Sequence, residues 1–381
     1  MKKLIIVSAV NLIEGGPLTV LQECLRYLSA DLSDEYEIIA LVNKKELFSF
    51  ENIKYLEFSK LKKSWINRLY YEYYYFGKLS KQLNPFLWLS LHDITPNVTA
   101  ERLAVYCHNP SPFYKLSFKE ALLDKKFALF NMFYKYLYRI NIKKNHFVIV
   151  QQDWLRNKFS RFIAENKIIV AHLSCVGSKE QINSVPETKN TFFYPAFPRV
   201  FKNFEVICQA SEELIKWGVS DFQVIFTISG KENRYAKYIY DSYKHIKQIK
   251  FLGIQSRDEV YKLYHTANCV IFPSKLETWG LPITEAKLFR KPLLLADLEY
   301  AHETLGTYDK VKFFEPSDSV QLANAMKDVI NKTVVFEKVE AGFTLAPFAQ
   351  NWKEMFEILL DNKQRGVFDV ANQRIDCNIR N

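Results

Sequence analysis

The segment that most constrains the fold of this chain is Asn268–Leu295, with the sequence NCVIFPSKLETWGLPITEAKLFRKPLLL. It begins with Cys269–Phe272, a short apolar run whose β-branched and aromatic residues predict a buried parallel strand. Pro282 suits the first position of a helix, because its φ is fixed and it has no N–H to leave unpaired. Pro292 then ends that helix and begins a second apolar strand. The segment therefore predicts a strand, a loop, a helix and a further strand.

Two carboxylates flank the start of this predicted helix. Glu277 lies in the loop, and Glu285 follows eight positions later. In a continuous helix they would be about 12 Å apart. Because Gly280 and Pro282 interrupt the backbone between them, both can face one ligand at the helix N-terminus. The free N–H groups and the dipole there favour phosphate, whereas carboxylates beside a phosphate suit sugar hydroxyls.

The size and charge of the chain limit the classes of protein it can belong to. Its 381 residues predict two domains, each large enough for its own core. A composition of 48% apolar and 25% charged residues is that of a globular protein. A net charge of +10 indicates an acidic partner, which could be a phosphate ligand, an anionic membrane or a nucleic acid.

Localisation is predicted from what the chain lacks and from its cysteines. The opening MKKLIIVSAV is interpreted as a strand, because Asn11 and Glu14 interrupt the apolar run before it can serve as a signal peptide. The sequence contains no run of about 18 apolar residues, so no membrane-spanning helix is predicted. The 6 cysteines are scattered without a C-x-x-C pair, which predicts reduced thiols in a cytoplasmic protein.

Apolar strand segments alternate with helical segments on both sides of a polar stretch, Gly177–Asn190. This pattern predicts an α/β protein with two Rossmann-like domains facing across a cleft. Ligands bind outside the carboxyl ends of strands in such sheets. The polar residues that follow two predicted strands, His92-Asp93 and His108, are therefore candidates for a binding site.

Two predicted helices, Leu61–Leu83 and Ala121–Lys144, mix tyrosine, phenylalanine and tryptophan with many lysines and arginines. Aromatic rings prefer the headgroup level and basic side chains attract anionic lipid, so these helices favour a membrane surface. The alternative is that the aromatic residues form the buried faces of two ordinary amphipathic helices. Base stacking beside a basic groove would look similar, but no nucleic-acid-binding module accompanies it.

The pattern FPSxxExxGLPxxEA, Phe272–Ala286, closely resembles the E-x7-E signature of retaining GT-B glycosyltransferases, especially glycosyltransferase family 4. This resemblance implies that Glu277 holds hydroxyls of the transferred sugar and Glu285 those of the ribose. His108 resembles the family histidine near that sugar. Lys202 matches the family lysine that grips the diphosphate. The family arginine would fall on Phe197, so the nearby Arg199 is the substitute candidate.

The resemblance gives three groups of expected site residues. The catalytic residues are His108, Glu277 and Lys202. The acceptor-side residues are His92 and Asp93. The donor-binding residues are Gly16, Arg199, Lys202, Gly230, Gly253, Ile254, Glu277, Gly280, Leu281, Pro282 and Glu285. It also implies an acceptor-binding domain over residues 1–182, a donor domain over 183–347, and a C-terminal helix at about 348–381 that rejoins the first domain.

The implied reaction moves a hexose-type sugar, with retention, from a nucleoside diphosphate sugar to a hydroxyl of a glycan or lipid-linked acceptor. Such a reaction fits cell-envelope polysaccharide biosynthesis (capsule, O-antigen or lipopolysaccharide) by a peripheral protein on the inner face of the cell membrane. No D-x-D motif is present, so no metal or other cofactor is implied, and no nucleic-acid partner is expected. No second carboxylate suggests a double-displacement pair.

Two alternatives remain open. A sugar-nucleotide epimerase could share the GT-B fold, although it would not need the basic aromatic helices. A non-catalytic protein that binds RNA or anionic lipid would explain those helices. It would leave the loop with Glu277 and Glu285 without a purpose.

Overall fold

The computed structural model describes residues 2–59, 61, 64–173, 190–339 and 344–361. The chain divides into two compact units. Unit 1 comprises the described residues within Met1–Phe113, Met132–Cys175 and Phe343–Arg374. Unit 2 comprises those within Tyr114–Asn131 and Val176–Gly342. The predicted boundary between residues 182 and 183, and most of the predicted linker Gly177–Asn190, lie outside the described residues.

Unit 1 is built on a parallel eight-stranded sheet of order β14-β7-β6-β5-β4-β1-β2-β3. Its strands are β1 (Lys3–Ser8), β2 (Tyr36–Val42), β3 (Ile53–Glu57), β4 (Leu87–Ser90), β5 (Arg102–Tyr106), β6 (Phe147–Val150), β7 (Ile168–Ala171) and β14 (Phe348–Ala349). Its helices are α1 (Gly15–Tyr27), α2 (Trp65–Tyr70), α3 (Phe76–Leu83), α6 (Asp153–Phe159) and α13 (Trp352–Leu360). The central strands are apolar on both faces, as expected for a parallel sheet covered by helices.

The C-terminal helix α13 packs onto the core of unit 1. Met355, Phe356 and Leu359 are buried in the same apolar cluster as residues of β1 and α1. The Arg102 guanidinium donates to the carbonyl oxygens of Leu359 and Asp361, at 2.6 and 2.5 Å. These contacts cap the end of the helix with a cation, where the helix dipole favours one.

Unit 2 has a parallel six-stranded sheet of order β10-β9-β8-β11-β12-β13. Its strands are β8 (Thr191–Tyr194), β9 (Gln223–Phe226), β10 (Ile249–Phe251), β11 (Cys269–Phe272), β12 (Leu293–Ala296) and β13 (Val311–Phe314). Its helices are α4 (Phe118–Leu123), α7 (Phe204–Lys216), α8 (Arg234–Tyr243), α9 (Arg257–Thr266), α10 (Leu281–Leu288), α11 (Glu299–Leu305) and α12 (Ser319–Asn331). Helix α5 (Lys125–Arg139) contributes residues to both units.

The two basic aromatic helices are divided differently from the prediction. Residues 65–83 form α2 and α3 around a π-helical turn, Tyr71–Tyr75. The second begins earlier, because Ser117 and Glu120 form a capping box at the start of α4. Asp124 then interrupts the helix, and its side chain accepts from Phe127 N at 3.0 Å to begin α5.

The helix after β8 also begins in an unexpected way. Asn203 occupies the N-cap position of α7, but its side chain makes no capping hydrogen bond to the helix. Asn203 adopts a left-handed φ of 57°, and its amide donates to the carbonyls of Pro273 and Pro316 instead. Its role is therefore to join two loops of unit 2 beneath the helix start.

None of the helices in the described part of the chain combines the length and the apolar character needed to cross a bilayer.

Candidate functional site

The first candidate group lies at the carboxyl edge of the sheet in unit 2. Lys202 ends a 3-10 turn after β8, and Glu277 lies in the loop after β11. Because β8 and β11 are neighbours in the sheet, these two loops meet. Lys202 Nζ donates to Glu277 Oε1, and the two side chains are 16% and 14% exposed. The structure thus brings together a lysine and a glutamate that are 75 positions apart in the sequence.

Two buried tyrosines brace the loops that carry this ion pair. Tyr194 donates to the carbonyl of Lys202 at 2.7 Å, and Tyr300 donates to that of Ser274 at 2.6 Å. Burial, together with the charge of Glu277, raises the pKa of both phenols well above the usual value. Both hydroxyls therefore stay protonated and keep donating to the loop backbone.

Gly280 sets the sharp turn between Glu277 and helix α10. Its φ is +82°, in the left-handed region that favours glycine. A Cβ there would lie 3.2 Å from Ile283 Cδ1 and 3.4 Å from Phe272 Cε1. The helix begins at Leu281, so Pro282 takes its second position rather than the predicted first. Ile283 N donates to Gly280 O at 2.9 Å and Pro282 has no N–H, so this helix start attracts an anion mainly through the positive end of its dipole.

Glu285 is held from the side by an aromatic cluster. Its Oε2 accepts from the hydroxyl of Tyr264 at 2.9 Å. Tyr264 is fully buried and stacks on Phe289, with ring centroids 5.3 Å apart. Burial raises the pKa of Glu285, while the Tyr264 hydrogen bond and the charge of Arg257 counteract part of that rise. The carboxylate is thus fixed in direction but only partly solvated.

Arg199 and a cation that the sequence reasoning missed, Lys275, lie beside the Lys202 loop. Arg199 Nη1 is 3.2 Å from Asp124 Oδ2. Lys275 Nζ is 3.4 Å from Glu120 Oε1, and its backbone N donates to Phe201 O at 2.7 Å. The sequence feature that could have indicated Lys275 is its position two residues before Glu277 in the same loop. The three cations of this region each have an acidic partner, which an anionic ligand would compete with.

The expected nucleotide-side glycines follow β9 and β10. Gly230 N donates to Glu232 Oε2 at 2.9 Å, and Ser229 N donates to Oε1 at 2.7 Å. These hydrogen bonds outweigh burial and lower the pKa of Glu232. A Cβ on Gly230 would lie 2.6 Å from Tyr240 Cβ, so this glycine is required by packing. Gly253 has a φ of +79°, and the side chain of Ile254 is 71% exposed.

The second candidate group lies at the carboxyl edge of the sheet in unit 1. Asp93 follows β4 with a left-handed φ of 76°. Its Oδ1 accepts from the backbone N of His108, at 2.6 Å, and of Asn109, at 3.0 Å. His108 Nε2 lies 2.9 Å from Leu91 O. Burial lowers the pKa of His108, against the opposing effect of Asp93, so its imidazole is neutral at physiological pH.

His92 is buried and belongs to a polar cluster that the sequence reasoning did not find. Its Nε2 lies 3.1 Å from Ser8 Oγ and 3.3 Å from Glu72 Oε1. Arg68 Nη2 donates to the carbonyl of His92 at 2.8 Å. The side-chain amide of Asn11 is assigned so that its oxygen, rather than its nitrogen, faces the guanidinium of Arg68. This oxygen then accepts from Arg68 Nε at 2.7 Å. Burial, and then the charge of Arg68, hold the pKa of His92 well below its usual value.

Gly16 lies in the first turn of α1, which begins at Gly15. A Cβ on Gly16 would meet no heavy atom within 4 Å. The preceding Glu14 makes no side-chain capping bond to the helix. Gly16 is exposed at the helix start.

Among the described residues there is no group of three or more His, Cys, Asp or Glu side chains placed to hold a metal ion.

Comparison with known proteins identifies the class of this fold. Residues 177–341 match the family model described as Glycosyl transferases group 1. No curated protein sequence matches the chain. The structure is similar to the lipopolysaccharide outer core galactosyltransferase WaaB in its apo form, with a TM-score of 0.60 and 13% identity, over 88% of this chain and 92% of that one.

Two further solved structures share the architecture. Sucrose-phosphate synthase from Thermosynechococcus elongatus has a TM-score of 0.57 and 12% identity, over 87% of this chain and 90% of that one. Anabaena Alr3699/HepE in complex with UDP-glucose has a TM-score of 0.53 and 15% identity, over 87% and 90%. These similarities confirm the predicted two-domain, Rossmann-like GT-B fold. Together with the family match, they support a glycosyltransferase, as the sequence predicted.

Proposed function

We propose that the protein is a retaining glycosyltransferase that moves a hexose-type sugar from a nucleoside diphosphate sugar to a hydroxyl of a glycan or lipid-linked acceptor. The observation that carries this proposal is the Lys202–Glu277 ion pair beside the start of α10. It places a cation, a carboxylate and a helix N-terminus together at the carboxyl edge of a parallel sheet, where ligands bind in such folds.

In this proposal each charged group has a separate task. Breaking the anomeric bond leaves negative charge on the β-phosphate. Lys202, the Gly280–Leu281 backbone and the positive end of the α10 dipole stabilise it, and each well-aimed donor contributes on the order of 3 kcal/mol. Arg199 is the further candidate cation on the same loop. Glu277, already turned towards Lys202, binds sugar hydroxyls, and Glu285 binds those of the ribose.

The proposed retention follows from the same arrangement. Glu277 is committed to Lys202, which suits a hydroxyl-binding carboxylate better than a free nucleophile. The acceptor would then attack on the face of the departing phosphate, and the phosphate would take the acceptor proton. The proposal needs no metal, because the cationic side chains neutralise the leaving group. The resemblance assigns His108 of unit 1 a role at the transferred sugar, and we keep that assignment as part of the proposal.

We also propose donor binding by unit 2 and acceptor binding by unit 1. Support for a uridine-linked donor comes from Anabaena Alr3699/HepE, which was solved with UDP-glucose. Support for a cell-envelope acceptor comes from WaaB, a lipopolysaccharide outer core galactosyltransferase. The membership in glycosyltransferase family 4 rests on the E-x7-E pattern and is part of the same proposal.

The test of this function starts from a thermal-shift screen of nucleoside diphosphates and their sugars. A ligand at 100 times its dissociation constant should stabilise the protein by about 2.7 kcal/mol. Slow release of nucleoside diphosphate from the selected sugar nucleotide should follow. Glu277→Ala should abolish that release, whereas Glu299→Ala, an exposed carboxylate at the start of α11, should leave it unchanged. Equal release by both variants would refute the proposal, as would a screen without any stabilising ligand.

The chemistry of the product distinguishes the retaining from the inverting reaction. The anomeric proton of the transferred sugar gives a different NMR coupling in the two configurations. We expect the product to keep the configuration of the donor. An inverted product would refute the retaining mechanism and leave the glycosyltransferase class standing.

We propose that the protein is peripheral to the inner face of the cell membrane. Support comes from the exposed apolar side chains of α2, α5 and the π-helical turn, among them Trp65, Ile66, Tyr70, Tyr74, Leu129, Met132, Phe133 and Tyr136. Other aromatic residues of the two predicted helices form buried faces, as the alternative interpretation expects, since Phe76, Tyr134 and Tyr138 are core residues. Aromatic rings at the headgroup level and a chain charge of +10 suit an anionic surface.

Liposome sedimentation tests the membrane proposal. The protein should pellet with anionic vesicles at low salt and leave them as salt is raised. Ile66→Ser should weaken this binding, whereas Val335→Ser, an exposed apolar residue of unit 2, should not. Equal binding to neutral vesicles at every salt concentration would refute it.

A further inference from the structure

The carboxylate of Asp93 accepts hydrogen bonds from other residues of unit 1. Strands β4 and β5 are neighbours in the sheet, so the loops that follow them lie side by side. Asp93 reaches from the first loop to the second, where Oδ1 accepts from the backbone N of both His108 and Asn109. One side chain thus joins the two loops at the carboxyl edge of unit 1.

Two buried tyrosines on α5 complete this arrangement. Tyr134 donates to Asp93 Oδ2 at 3.0 Å. Tyr138, one helical turn later, donates to Asn109 O at 2.7 Å and lies 3.3 Å from Asp93 Oδ1. A carboxylate has about four lone-pair sites, and three donors occupy those of Asp93: His108 N, Asn109 N and the Tyr134 hydroxyl. Most of the acceptor capacity of Asp93 is therefore used within unit 1.

Contacts with Leu91 and Tyr106 determine the tautomer and the orientation of the His108 ring. Its Nε2 faces the carbonyl of Leu91 at 2.9 Å, so this nitrogen must carry the proton of the neutral ring. The Nδ1 lone pair is then the one that can accept a proton or a hydroxyl. The ring also packs on Tyr106, with centroids 4.3 Å apart. The backbone of His108 is held by Asp93 and its ring by Leu91 and Tyr106.

We infer that Asp93 is a positioning residue for His108, rather than the acceptor ligand that the sequence suggested. The inference rests on the proposed glycosyltransferase function for its catalytic meaning. Its geometric content concerns contacts within unit 1 and can be tested without any substrate. Loss of the Asp93 carboxylate should free the His108 loop and displace the imidazole.

Among the described residues, the titratable groups around His108 are Asp93 from the loop after β4, His92 beside it, Tyr106 at the end of β5 and Cys107 just after that strand. Tyr134 and Tyr138 on α5 contact Asp93 and the backbone of Asn109. Asp93 is the anion that raises the pKa of His108 against burial. Removing that charge should therefore lower the pKa further.

The experiment compares Asp93→Asn with the wild type by NMR titration of His108 and by kinetics. Asparagine tolerates the left-handed φ at this position, so the fold should be retained. We expect the His108 midpoint to fall by at least about half a pH unit. We also expect kcat to fall about tenfold, with the donor KM within about threefold, because the loss concerns the reacting geometry. Glu101→Gln, an exposed carboxylate just before β5, is the matched control and should change neither.

Each outcome decides the inference. An unchanged His108 titration and an unchanged kcat in Asp93→Asn would overturn it. A rise in acceptor KM alone, with His108 unaffected, would overturn it in favour of direct acceptor binding. If Asp93→Asn does not fold, Tyr138→Phe tests the positioning alone, because it removes the 2.7 Å bond to Asn109 O and keeps the Asp93 charge. We then expect a lower kcat with a nearly unchanged His108 midpoint, and an unchanged kcat would overturn the inference. A shifted His108 in a protein that processes no sugar nucleotide would support the positioning contact and refute the proposed function separately.

Discussion

Replacing Glu72 by glutamine should change how the stability of the protein depends on pH. Glu72 is fully buried in the π-helical turn of unit 1. Neither of its carboxylate oxygens makes a well-aligned hydrogen bond within the described part of the chain, although His92 Nε2 lies 3.3 Å away. Burial raises the pKa of Glu72 from 4.5 to about 8, against the opposing charge of Arg68. The folded protein therefore holds a proton here that the unfolded chain releases.

The sign and size of the effect follow from proton linkage. A carboxyl with a raised folded-state pKa stabilises the fold at low pH, and that contribution is lost as pH rises towards the folded value. At pH 6, protonation of Glu72 favours the folded state over the unfolded state by a factor on the order of 100, which corresponds to about 2.7 kcal/mol of stability. By pH 9 this contribution to the stability is close to zero. Glutamine keeps the shape and cannot ionise. The difference in unfolding free energy between wild type and Glu72→Gln should thus change by about 2.7 kcal/mol between pH 6 and pH 9.

Urea denaturation at pH 6, 7, 8 and 9 measures this difference. Other titrating groups are common to both proteins and cancel in the comparison. The two units can unfold separately, so far-UV circular dichroism and tryptophan fluorescence should be fitted as separate transitions. Glu46→Gln, an exposed glutamate of unit 1, is the control and should follow the wild type. Parallel stability curves for wild type and Glu72→Gln over this range would refute the reasoning.

Three further predictions concern unit 2. Tyr264→Phe removes the 2.9 Å hydrogen bond to Glu285 and so raises the pKa of Glu285 further. The donor KM should rise about tenfold, most at low pH, with kcat nearly unchanged. A donor KM equal to that of the wild type at every pH would contradict this. Gly280→Ala should destabilise the protein by about 1–2 kcal/mol in denaturation experiments, because of its positive φ and the Cβ contact at 3.2 Å. Gly16→Ala, where a Cβ meets open space, is the control, and equal losses would refute the steric argument. Arg199→Gln should leave the melting temperature within about 1 °C, because the Arg199 side chain is 46% exposed, yet weaken nucleoside diphosphate binding in titration calorimetry; unchanged binding would exclude Arg199 from the site.

The backbone elements of the candidate site at the carboxyl edge of unit 2 could largely be predicted from sequence, because they depend on local information. The turn at Gly280, the helix after it and the strand Cys269–Phe272 depend on backbone geometry and periodicity within a few residues. Helix start and strand end are set by glycine, proline and apolar patterning, and these act at short range. The family resemblance added Lys202, which the fold does bring to Glu277.

Only the tertiary structure decided which polar groups are free and which are used internally. Asp93 looked like a substrate ligand in sequence, yet its oxygens are taken by the His108 loop and α5. Asn203 occupies the N-cap position of α7, yet its amide joins two distant loops. Arg68 and Glu72 resembled ordinary residues of a basic aromatic helix and turned out to be buried. Their roles depend on partners far away in the chain, and a burial-dependent pKa or hydrogen bond is a property of the assembled environment, which no local pattern contains.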